Sequence, residues 1–173
     1  MDHPLALLEM SLTVRELVSR SHLSLELLVE GELDREIRWV HSSEMPDPLP
    51  YLRGGEVVLT AGIWFWHGTA AGAFAAGLER ADVAALGFGT NPLVQEVPVE
   101  LIDACRAWDL TLFHVPDSVS FIEIAEEFVG VQHRMRERPL IDLLEGNGRF
   151  VECLRAGQGI DGVLRLLARL TGR

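Results

Sequence analysis

IRWVHSSEMPDPLPYLRGGEVVLTAG, residues 37–62, holds two short apolar runs on either side of a loop that no regular element can occupy. Ile37–His41 and Glu56–Thr60 are of strand length and rich in β-branched or aromatic residues. Between them Pro46, Pro48 and Pro50 fix φ and remove three backbone donors. Gly54-Gly55 then allows a sharp turn into the second run. So much fixed loop backbone either makes a rigid corner or shapes a surface that binds something, and residue chemistry leaves both open.

Working outward, Thr69–Arg80 is rich in Ala and reads as a helix lying close on a sheet, although Gly68, Gly72 and Gly77 lower its intrinsic propensity. Val83–Phe88 (VAALGF) is a continuous apolar run that suits a strand covered on both faces. Pro98 stands at the first turn of a second helix, Val99–Trp108, and Leu110–Val115 is the next strand. Strands alternating with helices at this spacing predict an α/β fold, a mostly parallel or mixed sheet with βαβ crossovers. Upstream, Ser11 or Thr13 can cap a first helix, Glu16 lying three residues past Thr13 as in a capping box, and Leu25–Val29 is a short strand. Trp39, inside its strand, is expected in the core, whereas Ile63–His67 has no clear preference.

The last third is helical. Ser118 or Ser120 caps a helix whose stripe includes Phe121, Ile124, Phe128 and Met135. Pro139 interrupts it, and further amphipathic pieces follow at Phe150–Leu154 and Ile160–Leu170. They are too many for one small sheet to bury unless they fold back on it, so a homodimer or contact with a neighbour is the competing expectation.

The 173 residues carry 26 acidic side chains against 15 basic ones, a formal charge of −11, and every basic residue is Arg. An acidic chain with scattered arginines is a poor nucleic-acid binder by itself. Mean hydropathy of +0.18 supports a packed core and argues against disorder. Cys105 and Cys153 read as reduced core thiols. The start resembles no signal peptide and no run has the length of a membrane span, so a cytoplasmic protein is expected.

Enzymatic patterns are sparse. Gly87-Phe88-Gly89 lacks the rest of a dinucleotide fingerprint, and a Walker lysine is impossible without lysine. Ser42-Ser43 has no nucleophile-elbow context. Glu44 and Asp47, in a Pro-rich loop, are not held as an acid–base pair. His41 and His114 read as structural. Neither a metal, a cofactor nor catalysis is expected. In open α/β sheets ligands sit at the C-terminal ends of strands. On that ground the ligand-site candidates are Glu44, Arg53, Thr60, Gly62, Gly89 and Asn91, with Glu44 placed to accept either backbone amides or a ligand's donors.

The segment 39–62 resembles the signature of the N-terminal domain of the PucR (purine catabolism regulator) family of bacterial transcription regulators. LTVRELV (12–18), VAALGFG (83–89) and VPDSVSFIEI (115–124) agree with it, and the resemblance spans roughly residues 11–130. It implies a sensory or regulatory α/β module. The effector would be a purine or another nitrogen metabolite, and a central region and a C-terminal helix-turn-helix would normally follow. Residues 131–173 are similar to the family's connector, so DNA would be contacted only through a helix-turn-helix outside this chain. Met45 replaces a common Leu, and 63–72 is abbreviated. The helix carrying Phe121, Ile124, Phe128 and Met135 becomes the expected relay or dimer element. The rival expectation is a dimerisation or protein-interaction module with no metabolite site.

Overall fold

The computed structural model describes residues 11–92 and 94–134. The chain divides into two compact units, Met1–Gln132 and His133–Arg173. The first is described here. Met135, Cys153 and the connector from Pro139 onward lie outside the described residues.

Among the described residues five strands form one sheet: β1 (Glu26–Val29), β2 (Trp39–Ser42), β3 (Glu56–Thr60), β4 (Ala85–Gly89) and β5 (Leu112–Val115). Their order is β1-β5-β4-β3-β2. The pairs β2·β3, β3·β4 and β4·β5 are parallel, while β1 runs antiparallel to β5. The expected mixed sheet with βαβ crossovers is therefore present. β3 and β4, in the middle, are buried at every position, the polar ends of β3, Glu56 and Thr60, included.

The helices of the crossovers are α2 (Ile63–Trp66), α3 (Ala71–Arg80) and α4 (Val99–Ala107). Phe74, Ala75 and Leu78 of α3 join Leu101 and Cys105 of α4 in one core with Val58, Leu86, Phe88 and Leu112 of the sheet. The small residues of α3 allow its close approach. Burial pushes the Cys105 thiol up to about 12, which keeps it an unreactive core group.

Both helices end alike. The Val83 N–H reaches back to the Leu78 carbonyl (3.2 Å), and the Leu110 N–H to that of Cys105 (3.0 Å). Each is the long bond of a Schellman closure, with Asp82 (φ 59°) and Asp109 (φ 52°) in the left-handed position usually held by Gly. This closure takes Val83 and Ala84 out of β4 and moves the strand to Ala85–Gly89.

Outside that core, α1 (Val14–Val18) begins with Thr13, whose hydroxyl accepts from the Glu16 N–H (3.2 Å) while the Glu16 carboxylate accepts from the Thr13 N–H (3.0 Å). The capping box is as the sequence suggests. Backbone bonds from Val14 to Arg35, Arg15 to Leu33 and Ile37 to Leu12 fasten α1 to the segment before β2. Ile37 is thus buried against α1 rather than paired in the strand. The last helix, α5, covers 121–132 within this unit. Ile124 and Phe128 on it are buried.

Trp39 is the principal correction. It was expected in the core, yet it is 58% exposed. The cause is strand order: β2 is an edge strand, and composition cannot tell an edge from a centre. Its ring still has a partner, Phe128 of α5, edge-on at 5.8 Å.

Candidate functional site

The C-terminal ends of the parallel strands bring Glu44, Thr60, Gly62 and Gly89 into one neighbourhood. Glu44 lies two residues beyond the end of β2, and its two oxygens accept three protein donors. These are the Ala61 N–H, the Ile63 N–H (2.9 Å) and the Thr60 hydroxyl (3.0 Å). The Ile63 amide is an otherwise orphaned donor of the first turn of α2 and the Ala61 amide lies just ahead of its N-cap Gly62, so the carboxylate ties down the start of α2 from another loop. Thr60, fully buried, accepts in turn from the Gly62 N–H (3.1 Å) and from Trp64 Nε1 (3.0 Å).

The two glycines are filled from above. A Cβ on Gly62, which sits at φ 80°, would lie 2.7 Å from the Phe88 ring. A Cβ on Gly89 would lie 2.7 Å from the Phe121 ring of α5. The corner is thus a closed hydrogen-bonded knot. Its glycines make room for rings of the protein itself.

Asn91 stands just beyond β4 in a short bridge with Val94, whose N–H donates to its side-chain oxygen (3.1 Å). Thr90 beside it places its hydroxyl 2.8 Å from His114 Nε2, which gives that histidine a structural partner. Arg53 is not brought to this group. It precedes β3, so the length of a five-residue strand, about 17 Å, separates it from Thr60. Its backbone N–H instead donates to Glu56 Oε1 (2.7 Å).

Sequence reasoning passed over the opposite end of the sheet. There a recess of about 200 Å³ is lined by residues that include Glu32, Arg35, Glu79, Asp82, Trp108 and Asp109. Arg35 is ion-paired with the Asp82 carboxylate and donates to its backbone carbonyl (2.6 Å). The sequence did carry a signal for it: Ala81-Asp82-Val83 and Trp108-Asp109-Leu110 each set an Asp between a helix end and an apolar run, marking the two turns that frame the recess.

The relay candidates Phe121, Ile124 and Phe128 lie on α5, and Met135 falls outside the described residues. Ser120 caps α5: its N–H (2.6 Å) and hydroxyl (2.8 Å) donate to Glu123, and its hydroxyl accepts from the Glu123 N–H (3.2 Å). The Ser120 backbone donor, then its hydroxyl, hold the Glu123 carboxyl below the ordinary glutamate range. A depressed folded-state pKa gives stability that is present above the unfolded pKa, about 4.5, and lost as pH falls through the lower folded value. The first turn of α5 should therefore fray below about pH 4.5, read as faster exchange of the 121–124 amides, and Glu123→Gln should remove that pH dependence.

Glu44→Ala leaves two amides and a hydroxyl without their acceptor. It should cost about 2–3 kcal/mol in denaturant unfolding, and Glu44→Gln, which keeps one acceptor, distinctly less.

Comparison with protein families matches residues 16–131 to the profile described as "PucR: Purine catabolism regulatory protein-like family". The chain belongs to this family. The PucR match begins in α1 and ends in α5, so it takes in every strand, the Glu44 knot and the recess. Among curated proteins the chain is similar to "Transcriptional activator PmfR" of Paenarthrobacter nicotinovorans, 40% identical over 57 residues. That stretch is 32% of this chain and spans 12% of the relative's length. Among the described residues of this PucR-family chain no helix is long and apolar enough to cross a membrane, and no cluster of three metal-ligating side chains occurs.

Proposed function

We propose that this unit is a non-catalytic regulatory module of a PucR-family transcription regulator, and that α5 carries its state towards a DNA-binding helix-turn-helix outside this chain. The observation that supports it is the seating of α5. Its Phe121 ring lies over Gly89 at the end of the central strand β4, and its Phe128 ring meets Trp39 of the edge strand β2. Any event that shifts either strand end is felt by the helix through which the chain leaves the unit. A ligand or partner biases such a helix only if it favours one of two arrangements.

The Glu44 knot spends its acceptors on the protein, which weighs against a metabolite held by that carboxylate. A second reading has its own observation, the recess at the other end. With four carboxylates, one ion-paired Arg and an indole, it suits a small nitrogenous cation, in keeping with an effector that is a nitrogen metabolite.

Amide exchange of 121–132 decides the relay. Alone and with purine intermediates or amines added, the protein should show altered exchange in α5 together with a raised thermal midpoint. A thermal shift with unchanged α5 exchange would leave binding without relay and overturn the proposal. If a cation is the effector, Glu79→Gln and Asp109→Asn should abolish its shift, while Glu44→Gln should not.

A further inference from the structure

Among the described residues β2 has a strand neighbour on one side only. The Ser43 N–H donates to the Leu59 carbonyl (3.0 Å), and Ser42 lies opposite Leu59 in the parallel register. That phase of the ladder turns the N–H and C=O groups of Val40 and Ser42 away from β3. No described residue bonds them. The edge is also unguarded. WVHS contains no proline, no carboxylate and no permanently charged side chain, whereas the other edge, β1, carries Glu26 and a register break between Leu27 and Val29.

We infer that β2 is the seat of a second copy of this chain, paired antiparallel about a two-fold axis through His41. In that register Val40 of each copy faces Ser42 of the other as a hydrogen-bonded pair, so all the outward groups of Val40 and Ser42 are used at once. His41 meets its own counterpart in a non-hydrogen-bonded pair. A register moved along by one residue in either sense leaves part of this set unbonded.

Charge favours self-pairing at this edge. The chain has a formal charge of −11, yet residues 37–43 (IRWVHSS) hold no carboxylate, so two copies meet here with the least repulsion. Trp39, exposed beside the axis, is held by Phe128 and is a pre-positioned anchor. A ladder this short buries less than the roughly 1,200 Å² of a standard interface, so the dimer formed by this chain is concentration-dependent. The inference holds whether or not α5 relays a signal.

The test uses the whole 173-residue chain. Sedimentation velocity across a concentration series should show a monomer–dimer equilibrium. Ser42→Pro removes an outward donor at an exposed position and no bond to β3. It should weaken association about tenfold or more, with the thermal midpoint unchanged at dilutions where both proteins are monomeric. In a Cys153→Ser background, mild oxidation of His41→Cys should give a covalent dimer, because the axial pair brings the two thiols together. This arm decides the matter even if the proline variant folds poorly. A chain monomeric at every concentration would overturn the inference. So would a dimer that Ser42→Pro leaves intact, or one that His41→Cys fails to cross-link.

Discussion

Trp64→Ala is expected to cost about 3–5 kcal/mol in denaturant unfolding. Trp64 is fully buried and stacks on Phe74 of α3 with ring centroids 3.9 Å apart and planes 10° from parallel. It also donates from Nε1 to the Thr60 hydroxyl, so the truncation empties a large site and removes a donor in the Glu44 knot. Against a total stability of about 5–15 kcal/mol this is a fifth or more of what holds the unit folded. Trp64→Phe keeps the stack and loses the indole N–H; its cost should be clearly smaller. Denaturant unfolding of both variants separates packing from the hydrogen bond. If the two lose equal stability, the stacked ring is not what anchors α2.

Gly62→Ala should follow at roughly 2–5 kcal/mol. The left-handed conformation at φ 80° charges any Cβ about 1–2 kcal/mol, and the Phe88 ring 2.7 Å away adds an overpacking cost of about 1–3 kcal/mol. Phe88→Leu in the same chain tests the second part. With the ring gone, the loss caused by Gly62→Ala should shrink to the conformational share, and a double-mutant cycle measures the difference. Additive losses would show that the ring yields freely. Because Gly62 positions the amides that Glu44 caps, Gly62→Ala should also reduce the effect of Glu44→Ala.

The sequence is most readable where one local rule decides the outcome. Glu56–Thr60 is a strand with those bounds because an apolar run closed by Gly54-Gly55 and Gly62 has no other use. The capping boxes at Thr13 and Ser120 were equally legible, since each needs only a hydroxyl and a glutamate three residues on. What the sequence hides is lateral order. Nothing in WVHS says that its strand lies at the edge, so Trp39 was assigned to the core. Likewise nothing local places Arg53 at the far end of β3 from Thr60. For Glu44, proximity to backbone donors was foreseen, but whether the donors belonged to protein or ligand depended on where α2 begins. The recess is hidden because its residues come from three separated segments.

The antiparallel pairing of β1 with β5 bears on how the chain can be made. Glu26 pairs with His114, and the Gly31 N–H meets the Thr111 hydroxyl across a separation of 80 residues. During synthesis the N-terminal segment, with α1 already fastened to residues 33–37, has no strand to join until β5 has left the ribosome. The parallel strands β2, β3 and β4 can assemble earlier through their own crossovers. An arrested chain ending before residue 112 would hold β1 as an unpaired, apolar ribbon. The step from that chain to one that includes Val115 should be where the nascent protein abruptly gains resistance to protease.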